Sequence, residues 1–266
     1  MCVVWCACRV PKNQLLFKIN SCSLLEILIL DACISHLIDI ILLMNNKVNM
    51  NLKIYYSHKP FWRAEVLRVS LFIGEITFED VRITMDEFEE VILTGKLRKS
   101  ITIPFHQLPV LEVNGQIIGQ TGSIARYCGK LSNLYPKDDF LAAKVDQIID
   151  AATDITSLIS PTVREKNLKI RKIMRERLVN KLLPRWFNYL EKILEREINS
   201  TWFVNNKMSI ADIAIWRLLG WLKSGILDGV PNNIVDKFPK LNAIHNQVHK
   251  HPKVQKWMLK TYGKEI

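Results

Sequence analysis

The sequence predicts a mixed α/β domain of order β-α-β-α-β-β-α, followed by an all-α helical bundle. Three observations carry that expectation. Val110–Val113 and residues 116–119 are short apolar runs split by Asn114-Gly115, a pair that accepts positive φ at both central positions of a tight hairpin turn. Ahead of the hairpin, residues 51–83 read as strand, helix and strand. Beyond residue 139 the apolar spacing is helical to the end of the chain.

Taken in order, residues 51–57 (Asn-Leu-Lys-Ile-Tyr-Tyr-Ser) carry the aromatic and branched residues that favour a strand. A proline-containing loop precedes a helix over 63–73, which Gly74 ends. Residues 76–83 supply the second strand, and the crossover between the two is expected to be right-handed. A short helix and a loop fill 84–104. Pro109 opens the first strand of the hairpin, at a position where a missing N–H is tolerated. Apolar residues Ile124, Tyr127, Cys128 and Leu131 mark a helix over 123–131. These elements form a domain over 50–134, and an all-α domain is expected over 135–266.

The linker 132–139 leads to a helix at 141–159, which Ser160-Pro161 should stop. A long amphipathic helix is expected at 166–194, in which Pro184 should kink or break the hydrogen-bond ladder. Residues 209–222 are apolar after a Ser209/Asp212 capping box, as suits a helix buried within a bundle. Two terminal helices at 239–248 and 253–260 close the chain. Residues 164–185 hold nine Lys or Arg against two acidic residues. The interleaved Leu168, Ile170, Ile173, Met174 and Leu178 make this a packed helix with a basic solvated face, and no nucleic-acid partner is expected.

With 266 residues, 48% of them apolar, the chain has ample length for a large core and is not a disordered polymer. A net charge of +11 favours anions in general without naming one. Residues 1–49 differ in character, holding five of the six cysteines and a Leu/Ile-rich run at 24–44. Glu26, Asp31, His36 and Asp39 interrupt that run, which makes it a poor membrane span. The cysteine spacings match no usual zinc pattern, and no metal is expected. The segment reads as an extension with Met50 as the natural start; a targeting leader and a folded segment remain open. Cys128, alone in the body, sits on an apolar helix face and reads as core.

The run Gln107-Leu108-Pro109-Val110-Leu111, with Gln120-Thr121 opening the next helix, closely resembles the thioredoxin-like domain of the cytosolic glutathione S-transferases. Ser209-Ile210-Ala211-Asp212 is similar to the capping-box helix of that family's C-terminal domain. The resemblance spans roughly residues 50–262 and is to the sigma-like members of the alpha, mu, pi and sigma group. It implies a cis peptide at Pro109, which leaves the Leu108 N–H and C=O free for an extended tripeptide. It further implies that Gln120 and Thr121, at a helix N-terminus, hold the γ-glutamyl end of glutathione, and that Gln107 reaches the glycyl end. Phe88 stands where many relatives carry tryptophan and lacks the indole donor. Arg98 or Lys99 can pair with the glycyl carboxylate. Asp154 matches an aspartate that reaches glutathione across a dimer interface in relatives.

Activation of the thiol needs a hydroxyl that donates to sulfur. Counting along the strand selects Tyr56; counting back from Arg63-Ala64-Glu65 selects Ser57, unless the loop has one extra residue. Both stay open at this point, with Arg63 as a supporting charge. The resemblance implies a cytoplasmic homodimer that uses glutathione as co-substrate against small electrophiles. Organelle targeting by the leader is a further possibility. The rival readings are a transferase-like scaffold, as in elongation factor gamma, and a storage protein.

Overall fold

The computed structural model describes residue 34, residues 50–197 and residues 200–263. The chain divides into two compact units, Met1–Met50 and Asn51–Ile266. The expectation of an extension over 1–49 falls outside the described residues, Ile34 aside.

Within the second unit, β1 (Leu52–Ser57), β2 (Glu79–Ile83), β5 (Val110–Val113) and β6 (Gln116–Ile118) form one sheet of order β2-β1-β5-β6. β1 runs parallel to β2 and antiparallel to β5, and β5 is antiparallel to β6. Asn114 and Gly115 both have positive φ, 50° and 85°, so the hairpin turns as Asn-Gly demands. Helix α1 (Trp62–Ile73) crosses from β1 to β2. The second strand is three residues shorter than the expected 76–83.

Helix α2 (Met85–Thr94) starts on a capping box, in which Thr84 and Glu87 satisfy each other's backbone N–H. The stretch expected as plain loop holds a two-stranded ladder, β3 (Lys96–Leu97) with β4 (Ile101–Thr102), and a 3₁₀ turn at Pro104–His106. Gly95 at φ 70° ends α2 beneath the His106 ring, where a Cβ would collide with the imidazole. The thioredoxin-like order is completed by α3 (Thr121–Leu131).

The rest is helical: α4 (Asp139–Arg164), α5 (Leu168–Arg177), α6 (Leu183–Arg196), α7 (Ile210–Lys223), α8 (Pro239–His249) and α9 (Pro252–Tyr262). Pro161 does not stop α4, which runs on for three residues. Its missing amide frees only the carbonyl of exposed Ser157, which water can serve. The single long helix expected at 166–194 is two, joined by a π turn at Leu178–Leu182. The wider turn brings Pro184 into the first turn of α6, where no amide is needed. Leu168, Ile170 and Ile173 do not pack inward but are exposed, a correction to the packed helix expected there.

α7 is the helix around which the bundle is built. Every residue from Ile210 to Leu219 is buried, and α7 touches α1, α4 and α8. Among the hydrogen bonds that tie the bundle to the α/β domain, Trp62 Nε1 donates to Thr156 Oγ1 at 2.8 Å, and Arg217 Nε to the Pro60 carbonyl at 2.6 Å.

Candidate active site

β1 pairs Tyr55 with Val110 at its last antiparallel step. One step further, Tyr56 and Pro109 face each other where the sheet opens. The Leu108–Pro109 peptide is cis, and neither the N–H nor the C=O of Leu108 bonds to another described residue. A cis peptide turns these groups out of the ladder, which leaves a donor and an acceptor for an extended guest.

Side chains alternate along a strand, so Tyr56 and Ser57 point to opposite faces. Tyr56 is 8% exposed and shares a core cluster with Ala64, Leu108 and Val110. Burial raises its pKa, against the pull of the Arg63 and Arg68 guanidiniums. The phenol therefore stays protonated around neutrality and is a donor, beside two cations that favour an anion. Burial lowers the pKa of Arg63 first, and Arg164 at the end of α4 adds to this. The α4 terminus thus stands within electrostatic reach of the same site. The neighbouring Tyr55 is engaged elsewhere, since its hydroxyl donates to Glu112 Oε2 at 2.7 Å.

Behind Tyr56 lies a buried network that the sequence alone did not single out. Glu65 and Arg68, both fully buried, pair at 2.9 Å. Glu65 also accepts from Trp257 Nε1 at 2.9 Å and from the Tyr262 hydroxyl at 2.6 Å, both on α9. Arg68 donates through Nε to Asp80 at 2.9 Å and through Nη2 to the Ser57 carbonyl at 3.2 Å, with its Cζ 5.9 Å from the Tyr56 ring centroid. Arg82 completes the link by donating to the His58 carbonyl. The only signal in the sequence was a Glu/Arg pair three apart on an apolar helix, a spacing that puts both on one face.

The second half of the site comes from the start of α3. Gln120, its N-cap, has φ 69°, an uncommon conformation for a residue with a Cβ. Thr121 is 5% exposed, and its Oγ1 is buried without a hydrogen-bond partner among the described residues. Gly119 packs against Pro104 and Phe105, which brings Gln120 beside the loop that carries exposed Gln107. An orphaned hydroxyl and open amides at a helix N-terminus suit a carboxylate.

The other candidates are placed unevenly. Phe88 is half-buried against the Tyr56 cluster and offers only its ring. Arg98 is engaged with Glu87 at 2.7 Å; Lys99 is exposed. Asp154 is exposed on α4, two turns beyond Asp146, and no hydrogen bond or ion pair among the described residues joins it to Gln120 or Thr121.

Two known domain families match this chain: the glutathione S-transferase N-terminal domain over residues 52–130 and the C-terminal domain over residues 153–261. The hematopoietic prostaglandin D synthase of Mus musculus is 30% identical over 203 residues, or 74% of this chain and 90% of the relative. The Homo sapiens glutathione S-transferase A3 is 30% identical over 181 residues, covering 65% of this chain and 77% of the relative. Among solved structures, the prostaglandin synthase D of Nilaparvata lugens superposes with a TM-score of 0.68 at 28% identity, over 79% of this chain and 98% of that one. The chain belongs to the glutathione S-transferase family. Its activity is glutathione transfer, with glutathione as co-substrate, and the scaffold reading is not favoured.

Proposed function

We propose that glutathione lies extended along the Leu108–cis-Pro109 edge and that Tyr56 holds its thiol ionised for attack on a small electrophile. The observation that carries this reading is unspent hydrogen-bonding capacity. The Leu108 N–H and C=O and the buried Thr121 Oγ1 have no partners among the described residues, and all flank the strand end that carries Tyr56. In this reading Gln120 and Thr121 bind the γ-glutamyl carboxylate and Gln107 the glycyl end. The Tyr56 phenol donates to sulfur, and Arg63 and Arg68 favour the anion. Phe88 packs under the cradle without donating. Residues 50–134 hold glutathione, and the helices of 135–266 shape the electrophile pocket.

The prostaglandin D synthase relatives favour an isomerase reaction at the same activated thiol alongside conjugation. A cytoplasmic homodimer fits as well. Asp154 makes no ion pair among the described residues, and Phe105, 67% exposed beside Gln107, offers an apolar contact to a second copy. A conjugation assay over a panel of electrophiles, with glutathione-resin retention alongside, tests the function. Retention with no turnover on any electrophile or isomerase substrate would return the chain to the storage or scaffold reading.

A further inference from the structure

Helix α5 and its approach are built unlike the rest of the bundle. Residues 163–177 carry seven Lys and Arg against two Glu, a net charge of +5. Three of their apolar residues are exposed: Leu168 is 68%, Ile170 47% and Ile173 65% exposed. The one buried residue of α5 is a cation, Arg175. Arg171 and Arg175 share the carboxylate of Asp228, at 3.2 and 3.7 Å, and this fixes which side of α5 faces the protein. At 100° per residue the opposite side centres on Ile173, flanked by Ile170, Lys169 and Arg177. Ile226, 72% exposed and two residues before Asp228, extends the apolar surface beyond the helix.

On the Arg171/Arg175 side of α5 a cleft of about 370 Å³ opens, lined by Leu168, Arg171, Lys172, Arg175, Glu176, Asp228 and Gly229. Arg175 Nε and Nη1 are buried in it without hydrogen-bond partners among the described residues. Asp228 and Glu176, both exposed, leave the two guanidiniums and Lys172 with one positive charge in excess.

A scattered exposed isoleucine is ordinary. Isoleucines at the apex of a short helix, ringed by Lys and Arg, are the composition that settles into an anionic headgroup layer. Such a face suits a fluid surface, which needs no matching shape.

We propose that α5 docks this protein on anionic phospholipid bilayers. Ile170 and Ile173 enter the interface, and Lys169, Lys172 and Arg177 sit at the headgroup phosphates. The proposal is independent of the assignment at Tyr56.

The test is flotation of the full chain with vesicles of phosphatidylcholine alone or with added phosphatidylserine, at low and at physiological salt. Parent protein should float only with the anionic vesicles, less so at higher salt. Lys169→Gln/Arg177→Gln should weaken binding about thirtyfold, at about 1 kcal/mol for each basic residue near the surface. Ile170→Ser/Ile173→Ser should weaken it at both salt concentrations while leaving the melting temperature unchanged. A charge-matched control, Lys237→Gln/Lys250→Gln, should stay within about twofold, since unfocused attraction by net charge is shared over the whole surface.

Several outcomes overturn the proposal. One is no binding to anionic vesicles, and another is unchanged binding by both α5 variants. An equal loss in the control pair would mean net charge alone. Capture on polyglutamate but not on vesicles would point to an acidic protein partner. A change in sedimentation mass in the isoleucine variant would make the face a contact between copies.

Discussion

Two polar constellations in this chain open helices, and they are built to opposite ends. At the start of α7, Asp212 is completely buried and its carboxylate is fully used. Oδ1 accepts from the Phe203 N–H at 3.0 Å, and Oδ2 from the Ser209 N–H and hydroxyl, both at 2.8 Å. At the start of α3, Thr121 Oγ1 is just as deeply placed and has no partner among the described residues, and the Leu108 backbone across the cleft has none either. A buried polar group that is satisfied holds a fold together. One left open costs free energy unless something arrives to pair it. The contrast separates a structural cap from a binding cradle better than residue type does, because both read as caps in the sequence.

The largest test of that contrast falls on Tyr56, the reactive edge of the open constellation. Tyr56→Phe keeps the ring packed and removes one donor. Turnover should fall by roughly one to three orders of magnitude, with glutathione affinity nearly unchanged. The pH–rate profile should move to higher pH, since the thiolate loses its stabilising partner. A Tyr56→Phe enzyme with the parent's profile would sink the assignment.

The closed constellation should fail in the other way. Asp212→Ala orphans the Phe203 and Ser209 amides and should cost about 3 kcal/mol of stability, with glutathione affinity of the folded fraction unchanged. Burial pushes the Asp212 carboxyl up from the ordinary 3.8 to about 6, in spite of its hydrogen bonds. The folded state therefore holds this proton more tightly than the unfolded chain. Between about pH 4 and pH 6 this group lowers stability as pH rises, and its contribution is most favourable below that window. Denaturant melts of the parent and Asp212→Asn over pH 4–7 should differ in slope by that amount, on the order of 2–3 kcal/mol across the window. Parallel curves would mean that Asp212 does not titrate there.

Gln120 tests the cradle itself. Gln120→Ala should weaken glutathione binding by about 1–3 kcal/mol, as expected when a charged ligand group loses its partner, and leave the electrophile KM almost unaltered. Because Gln120 sits at φ 69°, alanine also carries backbone strain, which Gln120→Gly avoids. Titration calorimetry should find the two variants alike in affinity, with the glycine form the more stable to heat. Unequal affinities would show that backbone shape, not the side chain, governs binding.

Much of this was legible in the sequence, for reasons that differ by region. Asn114-Gly115 and the Ser209/Asp212 box are local codes, in which a few adjacent residues determine the geometry. The hairpin and α7 follow from them. Pro161 was misjudged because a proline's effect depends on what serves the carbonyl it frees, and that of exposed Ser157 is open to water; at Pro184 the ladder is interrupted as expected, by a π turn just before α6. α5 was misjudged because helical spacing gives the period of an apolar pattern and not the presence of anything to pack against. The Glu65–Arg68–Trp257–Tyr262 network joins residues nearly two hundred positions apart. No local signal in one sequence reports a contact of that kind.

Ser57 carries the smallest expected effect and the sharpest reading of strand geometry. Its carbonyl is held by Arg68 Nη2 at 3.2 Å, while its side chain points away from the face that Tyr56 occupies. A thiol poised over the Tyr56 hydroxyl is therefore out of reach of the Ser57 hydroxyl. The loop that follows is held in place as well. Six residues lie between Tyr56 and Arg63, and Arg217 and Arg82 pin the Pro60 and His58 carbonyls inside it. Ser57→Ala keeps the backbone carbonyl that Arg68 uses, so turnover should stay within about threefold of the parent and the thiol pKa should not move. A crippled Ser57→Ala enzyme beside a healthy Tyr56→Phe would mean that the strand end rotates when glutathione binds and that an alcohol does the activating.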